Sequence, residues 1–451
     1  MKSIDRIPTS KLQRASKLVS TGAKVGVNYI KYYREKISKS EKVAKQNLNK
    51  NNAEDIYDTL KQLKGSALKV AQMLSMEKNL LPRAYVEKFS LAQFSVPPLS
   101  SPLVTKTFKK YLGKEPEAVF DEFDSNSVNA ASIGQVHRAK KNGKALAVKI
   151  QYPGVADSIK SDLALVKPIA LRMFNIKPRG ADKYFKEVED KLTEETNYCL
   201  EIEQSQEIAN ACAHIPNILF PNYYTQLSSN RILTMDYMKG VHLSEFVKYN
   251  NDIKKSNQLG QALWDFYMHQ IHNLRKVNAD PHPGNFLIND ETQLIALDFG
   301  CIKTIPKEFY IPYFELTDKS IMDNPKLFTE KLYELEILTA YDTHEETSFF
   351  IDMFHELLNV TTLPFQSTVF DFSDPEFFGK IGAIAESYSK NTELRKFNNS
   401  RGSKHFIYMN RTFFGLYNLM FDLNANSIKI NKYKKYILSL IHISEPTRPE
   451  D

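Results

Sequence analysis

The sequence predicts an α+β fold divided into two or three domains or lobes. Its 451 residues are too many for one ordinary hydrophobic core. Short apolar runs typical of buried strands stand between longer stretches of helical periodicity, which predicts both element types. The hydrophobic fraction of 42% and the charged fraction of 25% are those of a globular protein. No stretch approaches the ~20 apolar residues of a membrane-spanning helix.

The positive charge of the chain is concentrated at its N-terminus. Residues 1–50 contain 13 Lys and Arg against 3 Asp and Glu, whereas the remaining residues contain 47 against 50. We therefore expect no nucleic-acid partner, and an anionic membrane surface is the candidate partner of the basic N-terminal arm. Three cysteines without CxxC spacing, and an N-terminus without an apolar leader, favour a cytoplasmic location. A peripheral position on the inner membrane face is the second expectation, and it rests on the basic arm alone.

A basic helix is predicted from Pro8 to about Ser38. Its apolar and small residues fall near one stripe: Leu12, Ala15, Val19, Gly22, Gly26, Tyr29 and Tyr33. Two interpretations stay open. Either the helix lies on an anionic membrane surface, or it is a solvated helix whose stripe packs on the body of the protein. Residues 40–52 are polar and predict a linker.

The elements that follow are mixed. A second helical block is expected from Ala53 to about Lys78, before a turn-rich stretch at 95–102. Farther on, we predict strands at 133–139 and 145–151, a long helix from about Ala181 to Ala211, and a buried strand followed by a turn at 231–240. The rest of the chain is predicted to be mostly helical.

The stretch NADPHPGN at 278–285 carries the first candidate site residues. Asp280 and Asn285 are five residues apart, the spacing of the D-x-x-x-x-N catalytic loop of kinases. In that loop the aspartate accepts or orients the proton of the attacking hydroxyl, and the asparagine binds magnesium through its carbonyl oxygen. Two prolines and a glycine stiffen and turn the segment. His282 is interpreted as a capping or packing residue.

An Asp-Phe-Gly segment follows at 298–300. Between it and Asn285, the runs FLIND and QLIAL predict a hairpin of two short strands. This hairpin would bring Asp298 beside Asn285, so that two oxygen ligands meet one Mg²⁺ ion. Cys301, directly after the segment, is interpreted as a packed thiol rather than a reactive one.

A lysine inside a predicted strand supplies the cationic side of the site. The run AVKI places Lys149 as in the V-A-I-K motif of kinases, where the lysine reaches the α and β phosphates. A partly buried ammonium needs a carboxylate partner, and the predicted long helix offers Glu195 and Glu201. These two residues lie roughly 120° apart around a helix. We therefore assign Glu201 to Lys149 and leave Glu195 for a partner on another side.

Six motif pieces occur in order, and together they resemble the UbiB/AarF/ADCK family of atypical kinases over about Ala53 to Glu345. KVAQ at 69–72 resembles the family's KxGQ motif, NAASIGQVH at 129–137 its Ala-rich loop, and AVK its strand lysine. ETNYCLE at 195–201 resembles its ExD stretch with the following glutamate, and NADPHPGN and DFG complete the set.

The resemblance implies a bilobal protein-kinase-like fold with an N-terminal helical extension over the nucleotide cleft. It implies ATP and Mg²⁺ as cofactors, ATPase or small-molecule or lipid phosphotransferase activity, and a role supporting isoprenoid-quinone biosynthesis at membranes, with quinone-pathway lipids or enzymes as partners. Asp280 and Lys149 are then the expected catalytic residues, and Asn285 and Asp298 the expected metal ligands. The expected cofactor-binding residues are Lys69, Gln72, Ala130, Ala131, Ser132, Ile133, Gly134, Lys149, Glu195, Glu201 and Met235. Of these, Lys69 and Gln72 would sit above the phosphates, with Glu195 as the partner of Lys69.

The chain departs from the family pattern at three positions. Ala71 stands for the glycine of KxGQ, Asn197 for the aspartate of ExD, and Asn129 for the first alanine of the loop. The altered extension motivates an alternative function, a catalytically weak, nucleotide-gated scaffold for a membrane-associated biosynthetic complex. Conventional protein-kinase activity is a more distant alternative, because no A-P-E signature follows Gly300 and the segment turns quickly into a predicted helix.

The predicted organisation has five parts. Residues 1–52 form a basic helix and linker, 53–115 the helical KxGQ-type extension, 116–240 a kinase-like N-lobe and 241–437 a mostly helical C-lobe. Residues 438–451 resemble the translated end of a transposon-based sequencing adapter, so we expect this tail to contribute nothing to the fold.

Overall fold

The computed structural model of the protein describes residues 11–63, 84–85, 88, 98–130, 133–173, 178–390 and 401–433. The chain divides into two units. Unit 1 comprises Met1–Glu203 and Asn222–Tyr237, and unit 2 comprises Gln204–Pro221 and Met238–Asp451. The sequence predicts a single boundary between the lobes, after residue 240. In the structure, Gln204–Pro221 also belongs to unit 2, because its apolar side chains Ile208, Ile215 and Ile218 pack in the core of that unit.

Unit 1 combines helices with a four-stranded sheet. Its helices, among the described residues, are α1 (Lys11–Ser38), α2 (Glu41–Leu63), α3 (Ser101–Leu112), α4 (Pro116–Val119), α5 (Val155–Met173), α6 (Pro178–Glu195) and the first residues of α7 (Tyr198–Cys212). Strands β1 (Glu122–Ala130), β2 (Gly134–Lys141) and β3 (Lys144–Gln151) follow one another, β4 (Ile218–Leu219) lies in unit 2, and β5 (Ile232–Asp236) returns to unit 1.

The sheet of unit 1 has the order β1-β2-β3-β5, and all of its neighbouring strands are antiparallel. Val148 and Ile150 on β3 belong to one buried core with Phe108 of α3 and Ile159 of α5. The predicted strands at 133–139 and 145–151 are confirmed as β2 and β3. Strand β1 was not predicted, because its sequence EFDSNSVNA is too polar to show a strand pattern.

The polar stretch at 40–52 is not a linker, since helix α2 begins at Glu41 and packs along α1. The contact between the two helices is itself polar. Thr21 Oγ1 lies 2.5 Å from Thr59 Oγ1, and Asn28 Nδ2 donates to Asn52 Oδ1 at 3.1 Å. The linker prediction was wrong because buried polar side chains can form hydrogen bonds with one another between two packed helices.

The predicted long helix is broken at Thr196 and Asn197 into α6 and α7. Gln151 Nε2, at 3.2 Å, and Arg231 Nη1 both donate hydrogen bonds to the Thr196 carbonyl oxygen. Asn197 starts the second helix, and its side-chain oxygen accepts the N–H of Leu200 at 3.3 Å. Neither proline nor glycine marks this break, so the sequence pattern could not reveal it.

Unit 2 is mostly helical, as the sequence predicts. Besides the rest of α7, its described helices are α8 (Leu243–Tyr249), α9 (Ile253–His269), α10 (Lys307–Glu315), α11 (Lys319–Met322), α12 (Pro325–Glu334), α13 (His344–Thr361), α14 (Leu363–Gln366), α15 (Pro375–Lys390) and α16 (Lys404–Asp422). Its described strands are all two or three residues long. Besides β4, they are β6 (Val241–His242), β7 (Lys276–Asn278), β8 (Phe286–Ile288), β9 (Leu294–Ala296), β10 (Ile302–Thr304), β11 (Val369–Phe370) and β12 (Ile428–Lys429).

Two strand pairings in unit 2 position the candidate site. Strands β8 and β9 are antiparallel, with Phe286 opposite Ala296, which confirms the predicted hairpin. Strands β7 and β10 are also antiparallel, with Asn278 opposite Ile302. These pairings draw together the two ends of the segment that carries the Asp-Asn loop and the Asp-Phe-Gly sequence.

The core of unit 2 is built around helix α9, whose Trp264, Phe266 and Met268 are fully buried. His272 lies buried in the turn after this helix, and its Nδ1 is 2.6 Å from the Tyr310 hydroxyl. Burial, together with the nearby charge of Arg275, lowers the pKa of His272 to about 3, so the ring is neutral at pH 7. Among the described helices, none combines the length and apolar character that crossing a bilayer requires.

Candidate nucleotide and magnesium site

Unit 1 contains the ion pair that the sequence assigns. Lys149 Nζ lies 2.7 Å from Glu201 Oε1, and the two side chains are only 11% and 5% exposed. The ammonium also lies 5.1 Å from the centroid of the Tyr198 ring. Strand β3 fixes the lysine because it pairs with Val136 of β2 on one side and with Leu233 of β5 on the other. In this shielded position the carboxylate holds the ammonium in one place.

The angular separation that favours Glu201 over Glu195 holds only for a continuous helix, and the break at Thr196 removes it. The assignment of Glu201 nevertheless agrees with the observed distance. Glu195 ends α6, and its Oε1 lies 3.9 Å from the buried Nζ of Lys191. Four of the expected ligand-contacting residues lie outside the described residues: Lys69, Gln72, Ala131 and Ser132.

The described part of the Ala-rich loop is tied closely to the sheet. Ala130 ends β1 and Gly134 begins β2, where it pairs with Gln151. A Cβ atom at Gly134 would lie 2.3 Å from the Ile150 carbonyl oxygen, so the close approach of β3 requires the glycine. The Ile133 side chain is buried in the core of unit 1. Any contact of Ile133 or Gly134 with a nucleotide would therefore use backbone atoms.

The glutamine and histidine of the same motif form a buried hydrogen-bond chain. His137 Nδ1 lies 2.8 Å from the Asp124 carbonyl oxygen, so Nδ1 carries the hydrogen and Nε2 accepts from Gln135 Nε2 at 2.7 Å. Gln135 Oε1 in turn accepts the N–H of Leu99 at 2.7 Å. Burial lowers the pKa of His137, which keeps the ring in the neutral form that this pattern needs. The two side chains thus hold the loop in place.

Met235 on β5 belongs to a small buried cluster with Ala147, Tyr198 and Leu233. Because Tyr198 also flanks the Lys149 ammonium, this apolar cluster lies next to the ion pair. Apolar surface beside a few fixed polar groups is typical of small-molecule sites.

In unit 2, the loop that carries Asp280 and Asn285 is held by its own side chains. Asn285 Nδ2 donates to the Asp280 carbonyl oxygen at 2.9 Å, and Asn278 Oδ1 accepts the N–H of Asp280 at 3.1 Å. His282 Nδ1 accepts the N–H of Gly284 at 3.0 Å, which confirms the capping interpretation. Asp280 and Asn285 are therefore fixed relative to each other.

The β8–β9 hairpin links this loop to the Asp-Phe-Gly segment. The N–H of Leu297 donates to the Asn285 carbonyl oxygen at 3.0 Å, and Asn278 Nδ2 donates to the Asp298 carbonyl oxygen at 2.8 Å. Asp298 Oδ1 accepts the N–H of Gly300 at 2.8 Å. These contacts fix the backbone of Asn285 and Asp298 within one small region of unit 2.

The chemistry of Asn285 and Asp298 fits a magnesium ion. Because the Asn285 amide nitrogen donates within the loop, its side-chain oxygen is the atom that can coordinate a cation. Asp298 adds a carboxylate, and oxygen atoms are the ligands that Mg²⁺ prefers. With two protein ligands, such an ion would keep water and phosphate oxygens in its other positions.

Helix α16 contributes two contacts that the sequence did not predict. Arg411 Nη2 donates to Asp280 Oδ1 at 3.1 Å. One turn farther along, Gly415 lies against Pro281, and a Cβ atom there would be only 2.2 Å from the Pro281 Cγ. The helix thus holds both the carboxylate and the backbone of the loop.

A third residue of α16, Tyr408, lies on the same side of the helix. It forms a small buried cluster with Ala279, which precedes Asp280, and with Cys301. The interpretation of Cys301 as a packed thiol agrees with this burial. Residues 408, 411 and 415 therefore form one stripe against the segments that carry the candidate catalytic and metal-binding groups.

The two units define a protein of the kinase-like class by fold and by the residue types they present. The model of the ABC1 atypical kinase-like domain matches residues 91–331, more than half of the chain, and the chain belongs to this family. The predicted family resemblance is thereby confirmed.

Two curated relatives illustrate the similarity. The chain is 28% identical over 387 residues to "Atypical kinase COQ8, mitochondrial" of Saccharomyces cerevisiae, which covers 83% of this chain and 75% of that protein. It is 31% identical over 246 residues to "Protein ACTIVITY OF BC1 COMPLEX KINASE 8, chloroplastic" of Arabidopsis thaliana, over 53% of this chain. The second alignment spans only about a third of the plant protein, 32% of its length.

A solved structure supports the fold. The complex of Rv3197 with erythromycin from Mycobacterium tuberculosis matches with a TM-score of 0.59 and 22% sequence identity, over 90% of this chain and 100% of the other. The predicted α+β, bilobal kinase-like fold is confirmed by this match together with the family model.

Proposed function

We propose that the chain is an ATP- and Mg²⁺-dependent atypical kinase or ATPase that acts on a small molecule or lipid. The observation that carries the proposal is that contacts within each unit fix the chemistry-bearing side chains. Lys149 is held by Glu201 in unit 1, and Asp280 is held by Arg411 in unit 2. In phosphoryl transfer the protein mainly positions the reacting groups and neutralises the charge of the phosphates. Fixed charged side chains can do both.

Each residue has a role in the proposed reaction. Lys149 contacts the α and β phosphates, and Glu201 keeps its ammonium in place. Asn285 and Asp298 hold Mg²⁺, which neutralises phosphate charge when it is bound. Asp280 accepts or orients the proton of the attacking hydroxyl.

The remaining predicted contacts complete the nucleotide site. The segment 130–134 offers backbone amides to the phosphates, and Met235 contributes apolar surface. Lys69 and Gln72 form the polar part of the extension, with Glu195 as a polar partner of Lys69. The proposed context is isoprenoid-quinone biosynthesis, with quinone-pathway lipids or enzymes as partners, and this context rests on the family resemblance alone.

The proposal is tested by phosphate release from Mg-ATP, with and without a phenolic mimic of a quinone head group. We expect Asp280→Asn to keep the thermal stabilisation by Mg-ATP and to lose turnover, because the proton acceptor is lost while the amide oxygen can still accept from Arg411. Turnover equal to that of the unsubstituted protein would exclude Asp280 as the base.

The metal assignment has its own test. We expect Asp298→Ala to abolish Mg²⁺-dependent thermal stabilisation by ATP, because a carboxylate ligand is lost. Asp290→Ala is the matched control, since Asp290 is exposed in the turn between β8 and β9. If Asp298→Ala and Asp290→Ala respond alike to Mg-ATP, Asp298 is not a metal ligand.

A nucleotide-gated scaffold with weak catalysis is the second candidate. Asn197 favours it, because this residue has no charge and its side-chain oxygen is already used to cap α7. No phosphate release above the Asp280→Asn background, together with intact Mg-ATP stabilisation, would favour the scaffold.

A further inference from the structure

The register of the unit 1 sheet places a row of side chains next to the Lys149 ammonium. Ala147 stands two residues before Lys149 on β3, and its partners across the sheet are Arg138 of β2 and Met235 of β5. Residues two apart on a strand, and residues directly opposite on paired strands, share one face of a sheet. Arg138, Ala147 and Met235 therefore form a row on the face that carries Lys149, about 7 Å from it along the strands.

The next residue of this face, Tyr237, is held by a fixed backbone. It follows Met235 by two positions, and its N–H donates to a carbonyl oxygen of β3 at 3.0 Å. The preceding residue, Asp236, anchors the end of β5, because Asn222 Nδ2 and the Tyr224 hydroxyl donate to its carboxylate at 2.7 Å and 2.6 Å. The Tyr237 side chain packs against the apolar cluster of Met235. A rigid aromatic residue thus follows the row.

The guanidinium of Arg138 lies over this ring. Arg138 Nη2 donates to the Tyr237 hydroxyl at 2.6 Å, and the guanidinium carbon lies 4.8 Å from the centroid of the Tyr237 ring. Arg138 is exposed, whereas Ala147 and Met235 are only 5% and 9% exposed. The planar cation therefore marks the outer end of the row.

The proposed phosphate contacts decide where a nucleobase would lie. In the proposed function the phosphates contact Lys149 and the backbone of the segment 130–134. That segment ends at Gly134, whose partner Gln151 is on the opposite side of Lys149 from Ala147 along β3. A nucleotide with its phosphates at this end therefore extends its base over the Ala147 row. The small Ala147 side chain allows a flat ring to approach the sheet, and Met235 supplies apolar surface beside it.

We propose that Arg138 is a nucleobase-binding residue, and that its guanidinium, oriented by the Tyr237 hydroxyl, stacks on the purine base of a nucleoside triphosphate. A guanidinium plane stacks on aromatic rings and attracts their π electrons, whereas an ammonium has no plane to stack. The inference rests on the proposed nucleotide site. It adds to that site a residue that selects a base-bearing triphosphate over bare polyphosphate.

Charge alone is the competing explanation for an arginine at this position. An exposed cation one row from Lys149 would attract any triphosphate without touching its base. Such a cation would act on tripolyphosphate as strongly as on ATP. A stacking contact acts on ATP only, so the two ligands distinguish the explanations.

The test compares the dissociation constants of Mg-ATP and Mg-tripolyphosphate for the full chain. We expect Arg138→Leu to raise the constant for Mg-ATP about fivefold or more through lost stacking, and to change that for Mg-tripolyphosphate less than about twofold. Arg138→Lys keeps the charge but loses the plane, so it should weaken Mg-ATP binding at least about threefold. Tyr237→Phe, which removes only the hydroxyl, should weaken it about twofold through looser orientation of the guanidinium.

Lys140→Leu is the matched control. It removes a cation from the same strand, two residues beyond Arg138, where Lys140 Nζ lies 3.1 Å from Glu122 Oε1. This variant should bind both ligands like the unsubstituted protein. Unchanged thermal unfolding without ligand establishes that each variant is folded.

Three results would overturn the proposal. One is equal Mg-ATP binding by Arg138→Leu and Lys140→Leu. Another is an equal loss of Mg-ATP and Mg-tripolyphosphate binding in Arg138→Leu, and the third is full Mg-ATP binding by Arg138→Lys. Failure of the proposed function itself gives a different result, because the unsubstituted chain would then bind neither ligand.

Discussion

The contact between helix α16 and the Asp280 loop makes one substitution informative, Gly415→Ala. A Cβ at residue 415 would lie 2.2 Å from Pro281 Cγ and 3.1 Å from the Pro281 carbonyl oxygen. The proline ring and the loop backbone that carries it must both move to admit the methyl group. Pro281 directly follows Asp280, so the displacement is transmitted to the proposed base.

The size of the effect follows from these distances. Ordinary van der Waals contact begins at 3.4 Å, so the ring has to shift by about 1.2 Å. A misplacement of about 1 Å at reacting groups costs roughly 100-fold in rate. For stability, overpacking costs about 1–3 kcal/mol, which is partly offset by the roughly 1 kcal/mol that alanine gains over glycine inside a helix. We therefore expect a large loss of turnover with a loss of at most about 2 kcal/mol in the free energy of unfolding.

The assay is phosphate release from Mg-ATP, combined with denaturant unfolding. Gly382→Ala is the matched control, because Gly382 is exposed in helix α15 and has nothing within 4 Å of its Cβ position. That variant should keep full turnover and gain slightly in stability. Equal turnover of Gly415→Ala and Gly382→Ala would refute the inference that α16 positions the Asp280 loop.

Three further predictions concern charged groups. Glu201→Ala should cost roughly 3–5 kcal/mol of unfolding free energy, since it leaves the buried Lys149 ammonium without its carboxylate; a loss below about 1 kcal/mol in urea unfolding would contradict this. Arg411→Ala should lower turnover about tenfold or more through looser orientation of Asp280, while thermal stabilisation by Mg-ATP stays intact; Arg411→Lys should recover part of the rate. The pKa of His272 is lowered from 6.5 to about 3 in the folded chain. Between these two pH values the unfolded chain binds a proton at His272 that the folded chain does not. The free energy of unfolding should therefore fall as the pH drops below about 6.5. His272→Gln should reduce the slope of unfolding free energy against pH by about one proton in the same window.

Residues whose relation is local along the chain were predictable. Asp280 and Asn285 belong to one short loop, and the hairpin that leads from Asn285 to Asp298 is formed by adjacent strands. Their spacing therefore fixes most of their geometry. The pairing of Lys149 with Glu201 was predictable for a different reason, because a buried ammonium needs a carboxylate and the sequence offered few candidates.

Other contacts between distant segments were not predictable. Arg411 is 131 residues from Asp280 in sequence, and no spacing rule connects them. Gly415 is one of 16 glycines in the chain, and only the packing of α16 against Pro281 shows why it has no side chain. The polar contact between α1 and α2 was not predictable either, because a polar stretch predicts a loop unless the helix that packs against it is known.

Two carboxylates of the proposed site are matched by cations within their own units. Glu201 lies against Lys149 in unit 1, and Asp280 lies against Arg411 in unit 2. A shielded charge without a partner destabilises the folded state, so these pairs allow each unit to fold with its reactive groups already charged and oriented. Enzymes gain most from charges that are fixed before the reaction begins. At the described residues Ile133 and Gly134, a contact with phosphate would use backbone atoms. We therefore conclude that the proposed activity depends on the two charge pairs more than on the loop at 130–134.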